Sequence, residues 1–400
     1  MPSAPNFKSA AFLREHVDSI LAFYEPHVAD PVHGGFHQNF YDDGTPFNPG
    51  DKHLVSSTRM VFNYCKAYQH AQTPERKAQF KARALAGLEY IRTQHWDASR
   101  PGYHWTLSVN QPVDSTNHCY GLAFVILAFS SCLSAGVADT RAELYRTWDL
   151  LNAKLWLPQS GLYADEASAD WQTVSDYRGQ NANMHCCEAL LAAHQATGDE
   201  VFLERAYTLA NTVSVTLADK AEGLVWEHFT KDLAIDWDYN RDDPKNLYRP
   251  WGFQPGHQTE WAKLLVLLHR VKPEAWMLTR AQSLFDRALE TCWDSEQGGI
   301  FYGHAPDGSI CDDDKYFWVQ AESFAAAALL AEATGEARYW QWYEKIWQYS
   351  WAHFVDHQHG AWYRLLTANN EKTSNQKSTA GGKCDYHTMG ACWEVLGVLA

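Results

Sequence analysis

The segment Gly121-Leu-Ala-Phe-Val-Ile-Leu-Ala-Phe129 is apolar at every position, and Phe324-Ala-Ala-Ala-Ala-Leu-Leu-Ala331 has the same character. A helix that is apolar on every side must be covered by protein on every side. The segment 200–217 differs, because its apolar residues recur at helical spacing along one stripe and leave a polar face. The sequence therefore predicts two kinds of helix, one buried and one lying at the surface.

These two kinds of helix alternate along the chain with a period of about sixty residues. A glycine followed by an apolar or aromatic residue marks each period, at Gly35, Gly102, Gly161, Gly223, Gly299 and Gly360. The surface-type segments are 7–25, 75–95, 139–155, 200–217, 274–290 and 336–353. The buried-type segments are 57–70, 117–134, 183–196, 257–270, 319–333 and 387–399.

Six buried helices alternating with six surface helices predict an all-α fold, an (α/α)6 barrel whose inner ring is enclosed by an outer ring. The short β-like runs at the glycines predict β-hairpins at one end of this barrel. An open solenoid of twelve helices would need polar terminal caps. The last segment instead ends in an apolar run from Trp393 to Ala400, so we expect it to close on the first repeat. No linker or low-complexity segment interrupts the sequence, and residues 1–400 are expected to form a single domain.

Polar or ionisable residues stand at the N-terminal end of every buried segment. They include Arg59, His118, Asn181, Asn183, His185, His257, Glu260, Gln320, Glu322, Asp385, Tyr386 and His387. Each residue alone has an ordinary structural explanation, such as a helix cap, a charge near the helix dipole or a hydrogen-bonded core histidine. Six parallel inner helices would present all of them at one mouth of the barrel. Their coincidence therefore favours a ligand site.

Composition and charge exclude several classes of partner. The formal charge of −15 disfavours binding to nucleic acid or to an anionic membrane, and no stretch reaches the ~20 apolar residues of a membrane span. The segment 1–13 has no long apolar core, so no secretory signal is expected. Nine cysteines without a regular framework are typical of reduced thiols. We expect a cytoplasmic protein, either a monomer or a homodimer, which binds neither nucleic acid nor membrane.

No metal or cofactor is expected from the motifs of the chain. His185 and Glu188 are three residues apart without the second histidine that the zinc-protease pattern requires. The run Asp312-Asp313-Asp314 lacks the glycine and distal glutamate of a calcium loop. Glycine-rich phosphate loops and the Gly-x-Ser-x-Gly nucleophile motif are absent from the sequence.

A pair of histidines suits proton transfer at carbon, because histidine titrates near neutral pH. Removing the proton next to an aldehyde gives an enediolate, and returning it to the neighbouring carbon interconverts aldose and ketose. Returning it to the opposite face of the same carbon epimerises the sugar instead. A glycosidase would need two carboxylates across the cavity, for which Glu260 and Glu322 are candidates. A sugar-binding toroid without catalysis is a further alternative.

Several motifs, in order along nearly the whole chain, resemble those of the N-acylglucosamine 2-epimerase superfamily. They are Ser57-Thr58-Arg59-Met60, Asn181-Ala182-Asn183-Met184-His185, Pro255-Gly256-His257-Gln258-Thr259-Glu260-Trp261, Lys315-Tyr316-Phe317-Trp318-Val319-Gln320-Ala321-Glu322 and Asp385-Tyr386-His387. The resemblance implies an (α/α)6 barrel. Within the superfamily the chain is most similar to the branch of mannose and other aldose–ketose isomerases. That branch implies interconversion of D-mannose and D-fructose through a cis-enediolate, without metal or nucleotide.

The same resemblance implies roles for individual residues. His257 is expected to move the proton between C1 and C2 with Glu260 tuning it, and His387 to act as the second acid or base. The expected substrate-binding residues are Arg59, His118, Asn181, His185, Trp318 and Glu322. The 2-epimerases of cellobiose and of N-acetylglucosamine share both histidines and remain alternatives. An insertion at residues 235–250 suggests a loop that walls off a distal sugar subsite and favours a monosaccharide substrate.

Overall fold

A computed structural model describes residues 5–400, so the first four residues of the N-terminal segment considered above lie outside it. The described residues form twelve α-helices. They are α1 (Ala10–Tyr24), α2 (Leu54–His70), α3 (Pro74–Tyr90), α4 (Cys119–Ser134), α5 (Arg141–Leu155), α6 (Gln180–Thr197), α7 (Glu200–Asn211), α8 (Pro255–Val271), α9 (Ala275–Cys292), α10 (Phe317–Thr334), α11 (Ala337–His353) and α12 (Tyr386–Leu399). Short π-helices, Ile91–His95 and Thr212–Leu217, continue α3 and α7, and a 3-10 helix follows at Ala218–Ala221.

The even-numbered helices form an inner ring, in which each packs against the next, from α2 through α4, α6, α8 and α10 to α12. Each odd-numbered helix packs on the outside, α3 against α2 and α11 against α10, for example. Burial follows the same division, since α10 is almost wholly buried as far as Ala331 while α3 buries only one side. The predicted (α/α)6 barrel is confirmed.

The ring closes between the last repeat and the first. Helix α12 packs against α1, α2 and α10. The Tyr24 hydroxyl of α1 donates to Asp385 Oδ2 over 2.6 Å, and Asn63 Nδ2 of α2 donates to the carbonyl oxygen of Cys384 over 3.0 Å. The Trp362 indole donates to the ring of His16 in α1 over 2.8 Å. These buried bonds join residues separated by more than three hundred positions.

Seventeen short strands among the described residues lie where outer helices end and inner helices begin. They are β1 (Phe40–Tyr41), β2 (Asp51–His53), β3 (Trp96–Asp97), β4 (Gly102–Tyr103), β5 (Thr106–Ser108), β6 (Gln111–Asp114), β7 (Asn117–His118), β8 (Trp156–Leu157), β9 (Leu162–Tyr163), β10 (Glu166–Ala167), β11 (Arg178–Gly179), β12 (His228–Phe229), β13 (Gly303–His304), β14 (Ile310–Asp312), β15 (Lys315–Tyr316), β16 (Leu365–Leu366) and β17 (Gln376–Ser378). All pairings are antiparallel, with β2, β5 and β6 forming one three-stranded sheet. Strands β2, β7, β11 and β15 lead directly into inner helices, which places the hairpins at the same end as the helix N-termini.

The glycine run at Gly223 forms no strand, although the sequence predicts one there. The backbone N–H and C=O of Val225 are bonded instead to the side-chain amide of Gln258, the fourth residue of α8. Asn183 holds the backbone of Tyr163 in the same way, and Gln320 holds that of Ile300. Asn183 and Gln320 therefore fasten hairpins to inner helices, which explains their polarity without a ligand.

Three inner helices begin earlier than the sequence pattern indicates, at Leu54, Gln180 and Phe317. Polar residues that precede these apolar runs therefore lie within the first two turns of the helices, where side chains project sideways from the helix axis. No helix among residues 5–400 meets the length and hydropathy that crossing a membrane requires.

Two glycines in helices test how tightly the layers pack. A Cβ on Gly87 of α3 would lie 2.3 Å from the Phe36 ring and 2.8 Å from Val61 Cγ2, whereas a Cβ on Gly390 of α12 would meet no neighbour within 4 Å. Gly87→Ala is therefore expected to lower the free energy of unfolding by about 1–3 kcal/mol. Gly390→Ala is expected to raise it by about 0.5–1 kcal/mol, because alanine favours the helix. Denaturant unfolding of both variants checks this, and similar effects of the two substitutions would contradict the packing.

Candidate active site

His257 lies in the first turn of α8 and is bonded to a carboxylate that comes from a loop. Its Nδ1 is 2.9 Å from Oε1 of Glu227, which is itself buried. The other oxygen of Glu227 accepts a hydrogen bond from the side-chain amide of Gln180 over 2.9 Å, at the start of α6. The amide oxygen of Gln180 accepts from the indole N–H of Trp261 over 2.7 Å. His257 is thus the last member of a buried chain of hydrogen bonds.

His387 lies in the first turn of α12 and has a similar contact on its own ring. Its Nδ1 is 2.6 Å from Oε1 of Glu322 in α10. The other oxygen of Glu322 accepts a hydrogen bond from the ammonium of Lys263, which lies in α8 nearly two turns after His257. Both histidines therefore use Nδ1 to contact glutamate, but only the glutamate beside His387 is bonded to a cation.

Trp318 lies between the two histidine rings. Its ring centroid is 5.1 Å from that of His257 and 5.6 Å from that of His387. Gly256 permits this arrangement, because a Cβ at that position would lie 2.6 Å from the Trp318 ring. A glycine therefore precedes His257 in the Pro-Gly-His motif because any larger residue would collide with Trp318.

A third histidine, His185 of α6, lies beside the other two. Its ring centroid is 6.4 Å from that of His387, and its Nδ1 is 3.1 Å from Oε2 of Glu188 and 3.9 Å from Oε1 of Glu260. The Tyr386 hydroxyl donates to the second oxygen of Glu188 over 2.5 Å. Burial lowers the pKa of His185, although Glu188 acts in the opposite direction, so the neutral ring is favoured.

Arg59 of α2 supplies a positive charge to this buried cluster of polar side chains. The cluster, hereafter the chamber, is formed by Arg59, His185, His257, Glu260, Glu322 and His387. Its Nη2 donates to the Tyr120 hydroxyl over 2.8 Å, and its guanidinium carbon lies 4.3 Å from the centroid of Phe124 and 4.9 Å from that of Tyr386. Aromatic faces stabilise a partly desolvated guanidinium by cation–π attraction. Arg59 is thereby held in place without a carboxylate bonded to it.

Glu260 has the most unusual environment of the cluster. It is fully buried, and neither of its carboxyl oxygens has a hydrogen-bond partner among the described residues. Burial, and then the negative charge of Glu322, raise the pKa of Glu260 well above its usual value. Burial also raises the pKa of Glu322, against the effect of Lys263. The protonated acid is therefore the favoured form of Glu260, and it can donate a hydrogen bond.

Other buried polar atoms in this chamber also lack partners within residues 5–400. They are Nε of Arg59 and Oδ1 of Asn181, in addition to both oxygens of Glu260. Buried polar groups in proteins are almost always hydrogen-bonded. A ligand with several hydroxyl groups would satisfy these donors and acceptors together.

The structure brings together Arg59, His185, His257, Glu260, Trp318, Glu322 and His387, as the sequence predicts. Asn181 lies in the first turn of α6 beside Gln180, and its Oδ1 has no hydrogen-bond partner among the described residues. His118 differs, because its contacts are with Glu166 at 3.2 Å and the Trp105 ring at 4.1 Å, outside this cluster. The expected pairing of Glu260 with His257 is also different, since the carboxylate bonded to His257 is that of Glu227. His118 is the last residue of strand β7, and the register with β10 places it opposite Glu166.

Two overlapping sets of side chains could offer three ligand atoms to a metal ion. They are His185, Glu188 and Glu260, and Glu260, Glu322 and His387, with ligand atoms within 4.8 Å of one another. Lys263 already contacts Glu322 in this cluster. A third set, Asp312, Asp313 and Asp314, is contacted by the ammonium of Lys245 at 2.8–3.4 Å. In each case a lysine supplies positive charge to the carboxylates.

No role was expected from the sequence for Glu227, Lys263 or Glu188. Glu227 follows the fourth glycine run in an irregular loop, where no helical period indicates its direction. Its position in the repeat could have found it, since Glu227 is four residues after Gly223 and Asp165 is four after Gly161. Asp165 likewise accepts a bond at an inner helix, from the Gly179 N–H over 2.7 Å.

Comparisons with known proteins agree with this geometry. The profile of the family described as N-acylglucosamine 2-epimerase (GlcNAc 2-epimerase) matches residues 34–391. A D-mannose isomerase from Marinomonas mediterranea is 52% identical over 400 residues, covering 99% of each chain. A D-mannose isomerase from Thermobifida fusca is 35% identical over 292 residues, covering 71% of this chain and 72% of that protein. A crystal structure of D-mannose isomerase superposes with a TM-score of 0.95 at 52% identity, covering 99% of this chain and 100% of that one.

The buried pair of Lys263 and Glu322 gives a prediction about stability. Lys263→Met leaves carboxylates in the chamber without their ammonium, which is expected to lower the free energy of unfolding by about 3–5 kcal/mol at pH 7. The loss should be smaller at a lower pH such as pH 5, because burial raises the pKa of Glu322 and its protonated form carries no uncompensated charge. Denaturant unfolding at both pH values measures this.

The matched control is Lys272→Met, which removes a surface contact with Glu204 at 2.8 Å. Exposed ion pairs are screened by solvent, so this change should have a far smaller effect. Equal losses in the two variants would contradict a special contribution from Lys263.

Proposed function

We propose that this chain, which belongs to the N-acylglucosamine 2-epimerase family, is an aldose–ketose isomerase that interconverts D-mannose and D-fructose. The observation that carries the proposal is the pair of histidines, His257 and His387, on either side of Trp318 in a buried polar chamber. Each has Nδ1 bonded to a glutamate, which leaves Nε2 for the substrate. The similarity to D-mannose isomerases over the whole chain supports the choice of sugar.

In the proposed reaction His257 removes the proton from C2 of open-chain mannose. The electron pair of the broken C–H bond forms the C1–C2 double bond, and the carbonyl oxygen at C1 takes up a proton, giving a cis-enediol. His257 then returns its proton to C1, while the hydroxyl at C2 loses its proton and becomes the ketone of fructose. His387 exchanges the protons on oxygen.

The remaining residues of the chamber support this reaction by binding oxygen. Arg59 and protonated Glu260 are donors that stabilise the negative charge that develops on the enediolate oxygens. Asn181 and His185 bind hydroxyl groups, and Trp318 packs against the sugar. These groups provide a base, an acid and donors from the protein alone, so we propose a reaction without metal or cofactor.

The alternatives fit the geometry less well. A glycosidase needs two carboxyl groups on opposite sides of the scissile bond. Glu260 and Glu322 instead offer atoms within 4.8 Å of each other, and Glu322 is already bonded to Lys263 and His387. A 2-epimerase would use the same two histidines, so the reaction products must distinguish it. A binding protein without catalysis would not require two histidines that each have Nδ1 bonded to a glutamate. We place the enzyme in the cytoplasm, which its nine free thiols support.

The insertion at residues 235–250 supports a monosaccharide substrate. Arg249 donates to Glu166 over 3.0 Å and stacks on the Tyr177 ring, while Lys245 contacts Asp313 over 2.8 Å. These contacts fasten the loop to the hairpins of the repeats before and after it. We propose that the fastened loop fills the space that the second ring of a disaccharide would need.

The proposed reaction is tested by incubating the protein with D-mannose in D2O and following the products by NMR. Fructose carrying deuterium at C1 is the expected result, because the proton on His257 exchanges with solvent during transfer. Glucose as the sole product would indicate a 2-epimerase, and unchanged mannose would refute an isomerase. Release of monosaccharides from a disaccharide would indicate a glycosidase. His257→Asn should lower kcat by about 100- to 10,000-fold, with circular dichroism unchanged.

The loop proposal is tested with the double variant K245A/R249A. Freeing the loop is expected to raise kcat/KM for a disaccharide such as cellobiose, relative to mannose, by about tenfold or more, the scale of steric discrimination in a pocket. Arg241→Ala in the same loop is the matched control, because Arg241 contacts Asp238 at the surface and reaches neither hairpin. An unchanged ratio in the double variant would refute the loop as the source of specificity.

A further inference from the structure

His257 and His387 differ in the group that contacts the second carboxyl oxygen of their glutamates. Glu322 shares its charge between His387 and the ammonium of Lys263. Glu227 has an uncharged amide, that of Gln180, on its second oxygen. The full negative charge of Glu227 therefore acts on His257, whereas that of Glu322 is offset before it acts on His387.

We propose that Glu227 is a positioning residue that fixes the tautomer of His257 and makes it the more basic histidine. Lys263 offsets the charge of Glu322, so His387 receives less electrostatic stabilisation from its glutamate. The inference rests on the proposed isomerase function and extends it, because it assigns different tasks to two residues that look alike in the sequence. Glu227 acts through His257 and contacts no reacting atom itself.

The hydrogen-bond chain sets the tautomer step by step. The indole N–H of Trp261 can only donate, so the oxygen of the Gln180 amide must face it. The amide nitrogen of Gln180 then faces Glu227 and donates to Oε2. An ionised carboxylate only accepts, so Nδ1 of His257 must carry the hydrogen in its bond to Oε1. The lone pair of His257 is consequently on Nε2, where a base needs it.

The charged neighbours of the two histidines reinforce the difference. His257 has Glu227 at 2.9 Å, and His185 of α6 also interacts with it electrostatically. Tyr177, His228 and Tyr302 surround Glu227 as groups that are neutral at pH 7.

His387 has more positive charge near it. Arg59 and Lys263 oppose its protonation, and Glu188 favours it. Burial, followed by Arg59, lowers the pKa of His387 well below its usual value. A proton taken from carbon is therefore better accommodated on His257, where Glu227 stabilises the imidazolium, and His387, which is neutral before the reaction, exchanges protons with the substrate oxygens.

The test compares Glu227→Gln with the matched variant Glu322→Gln, using the pH dependence of kcat/KM for mannose. Glu227→Gln should lower kcat by about 10- to 100-fold with KM within about twofold, the usual effect of a group behind a functional histidine. Its acidic limb should move to lower pH by about one unit, since the imidazolium loses a full negative charge. Glu322→Gln should leave that limb in place. Glu227→Asp keeps the charge and should restore the position of the limb.

A second measurement does not depend on turnover. Long-range 1H–15N spectra of the protein with labelled histidine report which ring nitrogen carries hydrogen, and His257→Gln assigns the signal. The expected result is hydrogen on Nδ1 of His257 in the wild type. Hydrogen on Nε2 at neutral pH, or an unmoved acidic limb in Glu227→Gln, would overturn the inference. Failure of the wild type to convert mannose would refute the proposed function instead, and the spectra would still decide the tautomer.

Discussion

The chamber depends on the balance of charge among groups that the inner helices bury together. Glu188, Glu260 and Glu322 would repel one another strongly in a medium of low dielectric constant. Lys263 and Arg59 provide two positive charges, and protonation of Glu260 removes the third negative charge. The charges of Arg59, Lys263, Glu188 and Glu322 then cancel, and the charge of Glu227 remains beside His257. Such a site can hold an uncharged sugar and still stabilise the brief negative charge of an enediolate.

The barrel could be predicted from the sequence because burial constrains every position of the inner helices. Segments such as 121–129 have no polar side, and only a closed ring covers six of them at once. The same regularity predicted where the candidate site lies, since the N-terminal ends of parallel inner helices lie at one mouth of the barrel. His257, His387, Trp318 and Glu322 are adjacent in the structure for this reason, and their chemical roles remain proposals.

The partners of these residues could not be predicted, because they depend on side-chain direction and on irregular backbone. Lys263 lies within an apolar helix, where the sequence does not show that it reaches Glu322 on the neighbouring helix. Glu227 belongs to a loop without periodicity, so the sequence led to Glu260 as the partner of His257. His118 lies at the predicted level of the barrel, but its strand turns it to Glu166. Period and helix position predict where residues gather, whereas hydrogen-bond partners follow from geometry alone.

The closure of the ring has a consequence for how the protein is made. His387 belongs to α12, which is seated only when it packs against α1 and α2, through bonds such as that between Tyr24 and Asp385. Contacts between such distant parts of a chain form late and slowly. Until the last repeat has been synthesised, the apolar helices of the earlier repeats remain partly uncovered. The proposed site, which includes His387, is therefore complete only when the ring is closed, so catalytic activity would report closure of the whole ring.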